Sequence, residues 1–72
     1  EKFVVEFDQN VGDMIEVSII DMMGKFYMTN EKIEMEGETS VEIFVENLPS
    51  GQYYVMIQAD GDFIRKPLVI VN

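Results

Sequence analysis

The sequence has no cysteine, no histidine and no tryptophan. Without cysteine there is no disulfide and no thiolate metal site, and the redox compartment leaves no mark on the chain. Without histidine the chain lacks the commonest general base and the commonest metal ligand. Basic residues are also scarce: five Lys and Arg stand against fourteen Asp and Glu, a formal net charge of -9. Nucleic-acid binding rests on neutralising phosphates with Lys and Arg, so this composition speaks against a nucleic-acid partner and against anionic lipid headgroups. No apolar run approaches the ~18 residues of a membrane-spanning helix, so no direct membrane insertion is expected. No signal peptide is recognisable. The charge reads first as a solubility device for an extracytoplasmic module.

The chain has 72 residues, enough for one domain. A domain of this size buries only about 60% of the surface of its unfolded chain. Its core must nearly cancel an ordering cost on the order of 100 kcal/mol, which leaves few residues for a buried active site. The chain starts at Glu1 without an initiator Met, and is read as a piece of a longer protein.

What is present is a period of two. Phe3, Val5 and Phe7 share one face, as do Ile15, Val17 and Ile19, with Glu16 and Ser18 opposite. Val41, Ile43 and Val45 repeat the pattern with Glu42 and Glu46 toward water, and so do Tyr53, Val55 and Ile57. Such alternation marks half-buried strands. Phe44 interrupts a polar face and is expected to cover an end of the core. Tyr54 and Met56 suggest a strand covered on both sides. "DMMGKFYM" reads as a hairpin in which Gly24 takes positive φ, with strand resuming at Lys25 to Thr29. "TNEKIEMEGETS" reads as a loose connection or a weak edge strand ending at Gly37. "LPSG" at Leu48 to Gly51 is a turn, with Pro49 presetting φ. Asp60-Gly61 suits a type I′ hairpin. Pro67 confines the last strand to an edge or a bulge. The expected fold is all-β, a small immunoglobulin-like antiparallel sandwich of six to seven strands, with a small open barrel as alternative. Val17, Ile19, Val41, Ile43, Val55 and Ile57 are its expected core.

The many carboxylates alternate with apolar residues, as solvated strand positions do, and do not outline a glycosidase pair. "DGD" and "MEGE" lack the ligand spacing of a calcium loop; turn chemistry explains both, although Asp60 and Asp62 leave a weak calcium site open. Tyr27, Tyr53 and Tyr54 are candidates for a carbohydrate platform, but short-strand aromatics are more often core. Of the six Met, Met22 and Met23 are expected to be exposed, the others to fill gaps. The hydroxyls of Ser18, Thr29, Thr39, Ser40 and Ser50 have no histidine to activate them, and there is no phosphate-binding glycine loop. The inventory yields no catalytic residue, no cofactor site and no metal site, and an enzyme is not expected.

Three strings, in order, carry a resemblance. Val17, Ile19, Asp21 and Gly24 fit "V-x-I-x-D-x-x-G"; Leu48, Pro49, Gly51, Tyr53 and Val55 fit "L-P-x-G-x-Y-x-V"; Arg65 and Lys66 followed by Leu68, Val69, Ile70 and Val71 fit a basic-then-apolar last strand. Together they resemble the C-terminal sorting domain of the type IX (Por) secretion system, type A-like, found at the ends of secreted proteins of the Bacteroidetes. The usual Asn-Pro opening and a final Lys are absent, and Pro67 stands within the last strand. The resemblance implies a non-catalytic address, residues 1 to 72 forming one sorting domain at the end of a larger secreted protein. It implies passage through the periplasm, then a destination at the outer membrane, at the cell surface or outside the cell. It implies three partners: a type IX translocon, an outer-membrane shuttle protein and a sortase-like peptidase that attaches the cargo to lipopolysaccharide, with some such domains retained. The thirteen motif positions from Asp21 to Val71 are then the expected recognition signal. A terminal edge strand offers unpaired backbone groups to a partner, and Leu68 to Val71 add an apolar face; a weak homodimer through the same edge is allowed. The rival reading is an immunoglobulin-like accessory binding or adhesion module of a Bacteroidetes surface or polysaccharide-processing protein, which need not end its parent chain.

Overall fold

The computed structural model describes residues 2–8, 10–45 and 48–71. Six strands form, β1 (Lys2–Glu6), β2 (Met14–Asp21), β3 (Phe26–Glu34), β4 (Ser40–Phe44), β5 (Gly51–Ala59) and β6 (Asp62–Ile70), and no helix is present among the described residues. They divide into a two-stranded sheet, β1-β4, and a four-stranded sheet in the order β3-β2-β5-β6, with every pair antiparallel. The expected all-β sandwich is the observed fold.

Hairpins join β2 to β3 and β5 to β6; the other three connections pass between the sheets. The inner face of the large sheet is made by Ile15, Val17 and Ile19 of β2 and by Tyr53, Val55, Ile57 and Ala59 of β5, all buried. In register, Val17 faces Ile57 and Ile19 faces Val55, so the two central strands present one apolar stripe. Val5 and Ile43 close it from the small sheet. Burying each such side chain stabilises by about 1.5–3 kcal/mol relative to exposure.

Five of the six expected core residues are buried; Val41, on a strand with only one neighbour, is half-buried and packs on the core. Met35 and Leu48 complete the core from the segments that cross between the sheets, where no alternation announces them. Two expectations about faces are corrected. Phe44 does not cover the core: it is 66% exposed, because the strand's period of two turns it outward once Ile43 and Val45 point in. Ser18 does not face water: it is buried, its Oγ accepting from Asn30 N–H at 2.9 Å. Two register shifts between β2 and β3 fold the edge strand over it, and Asn30 takes φ +47° there.

The weak-edge-strand alternative holds for 30–34, since β3 continues to Glu34 as an edge of the large sheet. Gly24 has φ +90° in the β2-β3 turn, and Asp60 and Gly61 have φ +47° and +84° in the β5-β6 turn, as a type I′ hairpin requires. Pro67 lies on edge strand β6, paired with Tyr54 without a register shift. Met22 and Met23 are exposed as expected, and Met14 joins them. The expectation for Glu46 lies outside the described residues.

Truncating Ile57 to Ala should cost about 2–5 kcal/mol, the range for cavities in a core, which a 72-residue domain with a small margin cannot spare. Phe44→Ser should stay within about 0.5 kcal/mol. Urea unfolding of both variants checks the assignment of inward and outward faces.

Candidate recognition site

β2 and β6 end, and β3 and β5 begin, at the same end of the four-stranded sheet. Register places Asp21 opposite Tyr53, Tyr53 opposite Leu68, and Gly51 opposite Ile70. Residues separated by nearly fifty positions in sequence thus meet at one edge of the molecule.

Asp21 builds the first turn. Its Oδ1 accepts the backbone N–H of Met23 at 2.8 Å and of Lys25 at 2.9 Å. Its own N–H donates to the Lys25 carbonyl at 2.9 Å, and the Gly24 N–H donates to the Asp21 carbonyl at 3.2 Å. The hydrogen bond from Lys25 holds the carboxyl below its ordinary value of 3.8; partial desolvation opposes this, and the Met23 N–H, the Tyr27 hydroxyl and the Lys25 charge reinforce it. A Cβ at Gly24 would meet nothing within 4 Å, so glycine is required there by backbone conformation alone.

Tyr53 holds the second turn. Its side chain is buried, and its hydroxyl donates to the Pro49 carbonyl four residues upstream. Such a bond resembles the tyrosine corner of β-sandwich domains. Tyr27 meets it edge to face, ring centroids 5.4 Å apart at 84°, and the Lys25 ammonium lies 4.9 Å from the Tyr27 centroid. Leu48 is buried beneath the turn. Gly51 has φ +157°, and the Tyr53 ring lies 4.0 Å from where its Cβ would be.

Beyond the turn-forming Asp21, Gly24 and Gly51, the other ten motif positions fall into two groups. Leu48, Tyr53, Val55 and Ile70 are buried, and Leu68 packs against the core. Pro49, Arg65, Lys66, Val69 and Val71 are exposed. Leu68 to Val71 do not form one apolar face, because alternation sends Leu68 and Ile70 inward and Val69 and Val71 outward. Val69 and Val71 are 64% and 84% exposed. Arg65 lies over the ring of Tyr54 at 4.6 Å, and Lys66 is on the opposite side of the strand.

A shallow hollow of about 230 Å³ lies at this end, lined by Met22, Gln52, Tyr53, Tyr54, Pro67, Leu68 and Val69. The motifs omit Met22, Gln52, Tyr54 and Pro67; only the register of three strands brings them together. Ile20 pairs with Phe26 on one side and Tyr54 on the other, and Tyr54 pairs with Pro67, so an apolar row crosses the outer face of the sheet beside the hollow. The tyrosines give no sugar-stacking platform: Tyr53 is buried, Tyr27 packs on it, and Arg65 covers Tyr54. Among the described residues no three carboxylates converge as metal ligands.

The family model for the secretion system C-terminal sorting domain matches residues 1–71 of the chain. Among curated proteins and among solved structures, nothing matches.

Asp21→Asn should lower the melting temperature at neutral pH, because the neutral amide accepts the two N–H groups less strongly than a carboxylate. The depressed pKa means the native carboxylate stabilises above 3.8 and loses that contribution as pH falls through its lower folded value. The gap between parent and variant should therefore narrow in acid; thermal melts from pH 7 to pH 2.5 measure it. Tyr53→Phe, which removes the hydroxyl and with it the bond to Pro49, should cost about 1 kcal/mol or more by urea unfolding.

Proposed function

Because this chain belongs to the family of secretion system C-terminal sorting domains, a signal for type IX secretion that directs export across the outer membrane to the cell surface or beyond, we propose that the end of the sheet bearing the two turns and the end of β6 is the surface the machinery reads. The observation that carries this is the convergence of all three motifs there, with buried members shaping the end and exposed members displayed on it. The readable elements are Met22, Tyr54, Pro67, Val69 and Val71, an apolar group with Arg65 as its cation. In a chain of net charge -9, such a locally apolar, cation-bearing patch is distinctive.

Family membership and this surface support a finer reading. The domain occupies residues 1 to 72 at the end of a larger secreted protein and is non-catalytic. It is exported by way of the periplasm, and it is recognised in turn by the translocon, an outer-membrane shuttle and a sortase-like peptidase. Asp21, Gly24, Leu48, Gly51, Tyr53, Val55, Leu68 and Ile70 act by holding shape. Pro49, Arg65, Lys66, Val69 and Val71 act by contact. A weak homodimer through β6 would compete for the same contacts.

Deleting Leu68 to Asn72 would remove Ile70 and Leu68 from the core, so loss of export would not separate folding from recognition. Point changes do. Val69→Asp with Val71→Asp, both at exposed positions, should melt within a few degrees of the parent yet stop export of a fused cargo. Phe44→Asp, equally exposed on the other sheet, should be exported normally. Tyr53→Ala should fail in both assays. Surface delivery of the double variant at the parental level would contradict the assignment of this end as the contact surface.

A further inference from the structure

The large sheet has two edges, and they differ. β3 is bent by its two register shifts and by the left-handed Asn30, a device that blunts an edge against pairing. β6 pairs with β5 over nine residues without a shift. No Cα of β1 lies within 8 Å of a Cα of β6, whereas bonded strands run about 4.8 Å apart, so the small sheet leaves this edge unpaired. Register decides which backbone groups the edge offers. The two-residue loop makes Ala59 and Asp62 the closing bonded pair of the β5-β6 hairpin. The bonds then alternate, through Ile57 with Ile64, Val55 with Lys66 and Tyr53 with Leu68. Phe63, Arg65, Pro67 and Val69 therefore direct their backbone groups outward, all but Pro67 with a donor as well as an acceptor.

The side chains divide by the same alternation. Asp62, Ile64 and Lys66 share the inner face with Ala59, Ile57 and Val55; Phe63 and Arg65 share the outer face with Gln58 and Met56. Asp62 and Lys66 are exposed, and among the described residues neither makes an ion pair. Four residues apart on one strand, about 13 Å, they cannot pair with each other. Phe63 is 67% exposed, and Arg65 is held over the outer face by the Tyr54 ring.

The stretch Asp62 to Lys66, "DFIRK", is its own complement about Ile64. We propose that it pairs with the same stretch of a second copy of this chain, antiparallel, about a two-fold axis at Ile64; this deepens the reading of a weak homodimer through β6 and rests on it. Residues directly opposite in an antiparallel pair lie on the same face. On the inner face each Asp62 then meets the second copy's Lys66, with Ile64 against Ile64 between the two ion pairs. On the outer face each Arg65 meets the second copy's Phe63, a cation over an aromatic ring. The backbones of Phe63 and Arg65 exchange four hydrogen bonds across the axis. Pro67 falls opposite the partner's turn, where its missing donor costs nothing.

Charges and a proline on an edge ordinarily oppose pairing; here their order leaves one register free of both penalties. Two-fold pairing sets outward-bonding residues opposite outward-bonding residues. Centred on Asp62 or Arg65, it puts like charges face to face. Centred on Lys66, it opposes two lysines and calls on Pro67 to donate; centred on Pro67, Leu68 or Val69, it calls on Pro67 again. Centred on Phe63, it runs each Arg65 onto the partner's turn. Only the Ile64 register matches opposite charges. The dimer engages Arg65 and Lys66 of the proposed recognition surface, while Val69 and Val71 pass beyond the partner's turn.

Sedimentation of the isolated 72-residue chain at up to about 1 mM, where even a weak pair is populated, tests this. The parent should form a dimer and nothing larger, because a two-fold contact closes. Asp62→Lys sets lysine opposite lysine, and Lys66→Asp sets aspartate opposite aspartate; each alone should dimerise at least tenfold more weakly. Mixed, the two variants restore both oppositely charged pairs and should associate as the parent does, although each remains strongly acidic overall. The chain has no cysteine, so Ile64→Cys gives a clean check of register. Opposed residues of an unbonded pair lie about 4.5 Å apart, within disulfide reach. Ile64→Cys should therefore cross-link to itself on mild oxidation at least tenfold faster than Phe63→Cys. These measurements use no secretion machinery, so they stand or fall apart from the export assay of the recognition surface. A parent that stays monomeric at about 1 mM, or a mixture no more associated than its components, would overturn the proposal. So would single variants that dimerise like the parent, or Phe63→Cys cross-linking as fast as Ile64→Cys.

Discussion

The bond from the Tyr53 hydroxyl to the Pro49 carbonyl, with the Tyr27 ring against the same side chain, is the contact on which the turn-bearing end of the large sheet depends. β5 is central in the large sheet, and Tyr53 is the first of its four inward residues. Anchoring that ring fixes where the Leu48–Gly51 turn enters the sheet. It also fixes where Asp21 and Leu68, its register partners, come to rest. Tyr27 carries the constraint across to β3, and Asp21 holds the adjoining turn through two backbone N–H groups. Four strand ends are thereby set by one aromatic pair and one carboxylate.

Size explains why sorting and folding are so closely interleaved in the motif residues. A small domain has little apolar surface beyond what stability requires. A signal of a dozen positions must then use many of the same residues that form the core. Alternation along a strand resolves the conflict: Leu68 and Ile70 serve the interior while Val69 and Val71 face outward on the same four-residue stretch. The single exposed ion pair, Lys2 with Glu42 at 3.8 Å among the described residues, contributes little. In the proposed reading, recognition at the surface rests on apolar shape and on a few placed cations.

Much of this was legible in the sequence. Alternation at Ile15 to Ile19 and at Tyr53 to Ile57 gave the inner faces, and Gly24, Asp60-Gly61 and Pro67 gave the two hairpins and the edge. The family strings point to the sorting function, to which the family match over residues 1–71 also leads. What escaped has a common cause. Met35 and Leu48 fill the core from crossing segments with no period. Ser18 is buried by shifts in β2-β3 pairing, which no single strand reveals. The hollow at the turn-bearing end joins Met22 to Tyr54 and Pro67, a neighbourhood created by register among three strands. Phe44 faces outward because its place in the alternation outweighs the tendency of an aromatic side chain to be covered.

The central claim is that one end of the large sheet is read by the secretion machinery, with buried motif residues shaping what exposed ones present. Site-specific photo-crosslinking in secreting cells tests it most directly. A crosslinking amino acid is placed at Val69, or at Phe44 on the small sheet, in a fused cargo that is still exported. The account predicts strong crosslinks to components of the outer-membrane machinery from position 69 and few from position 44. Equal crosslinking from both positions, or capture from position 44 alone, would contradict it.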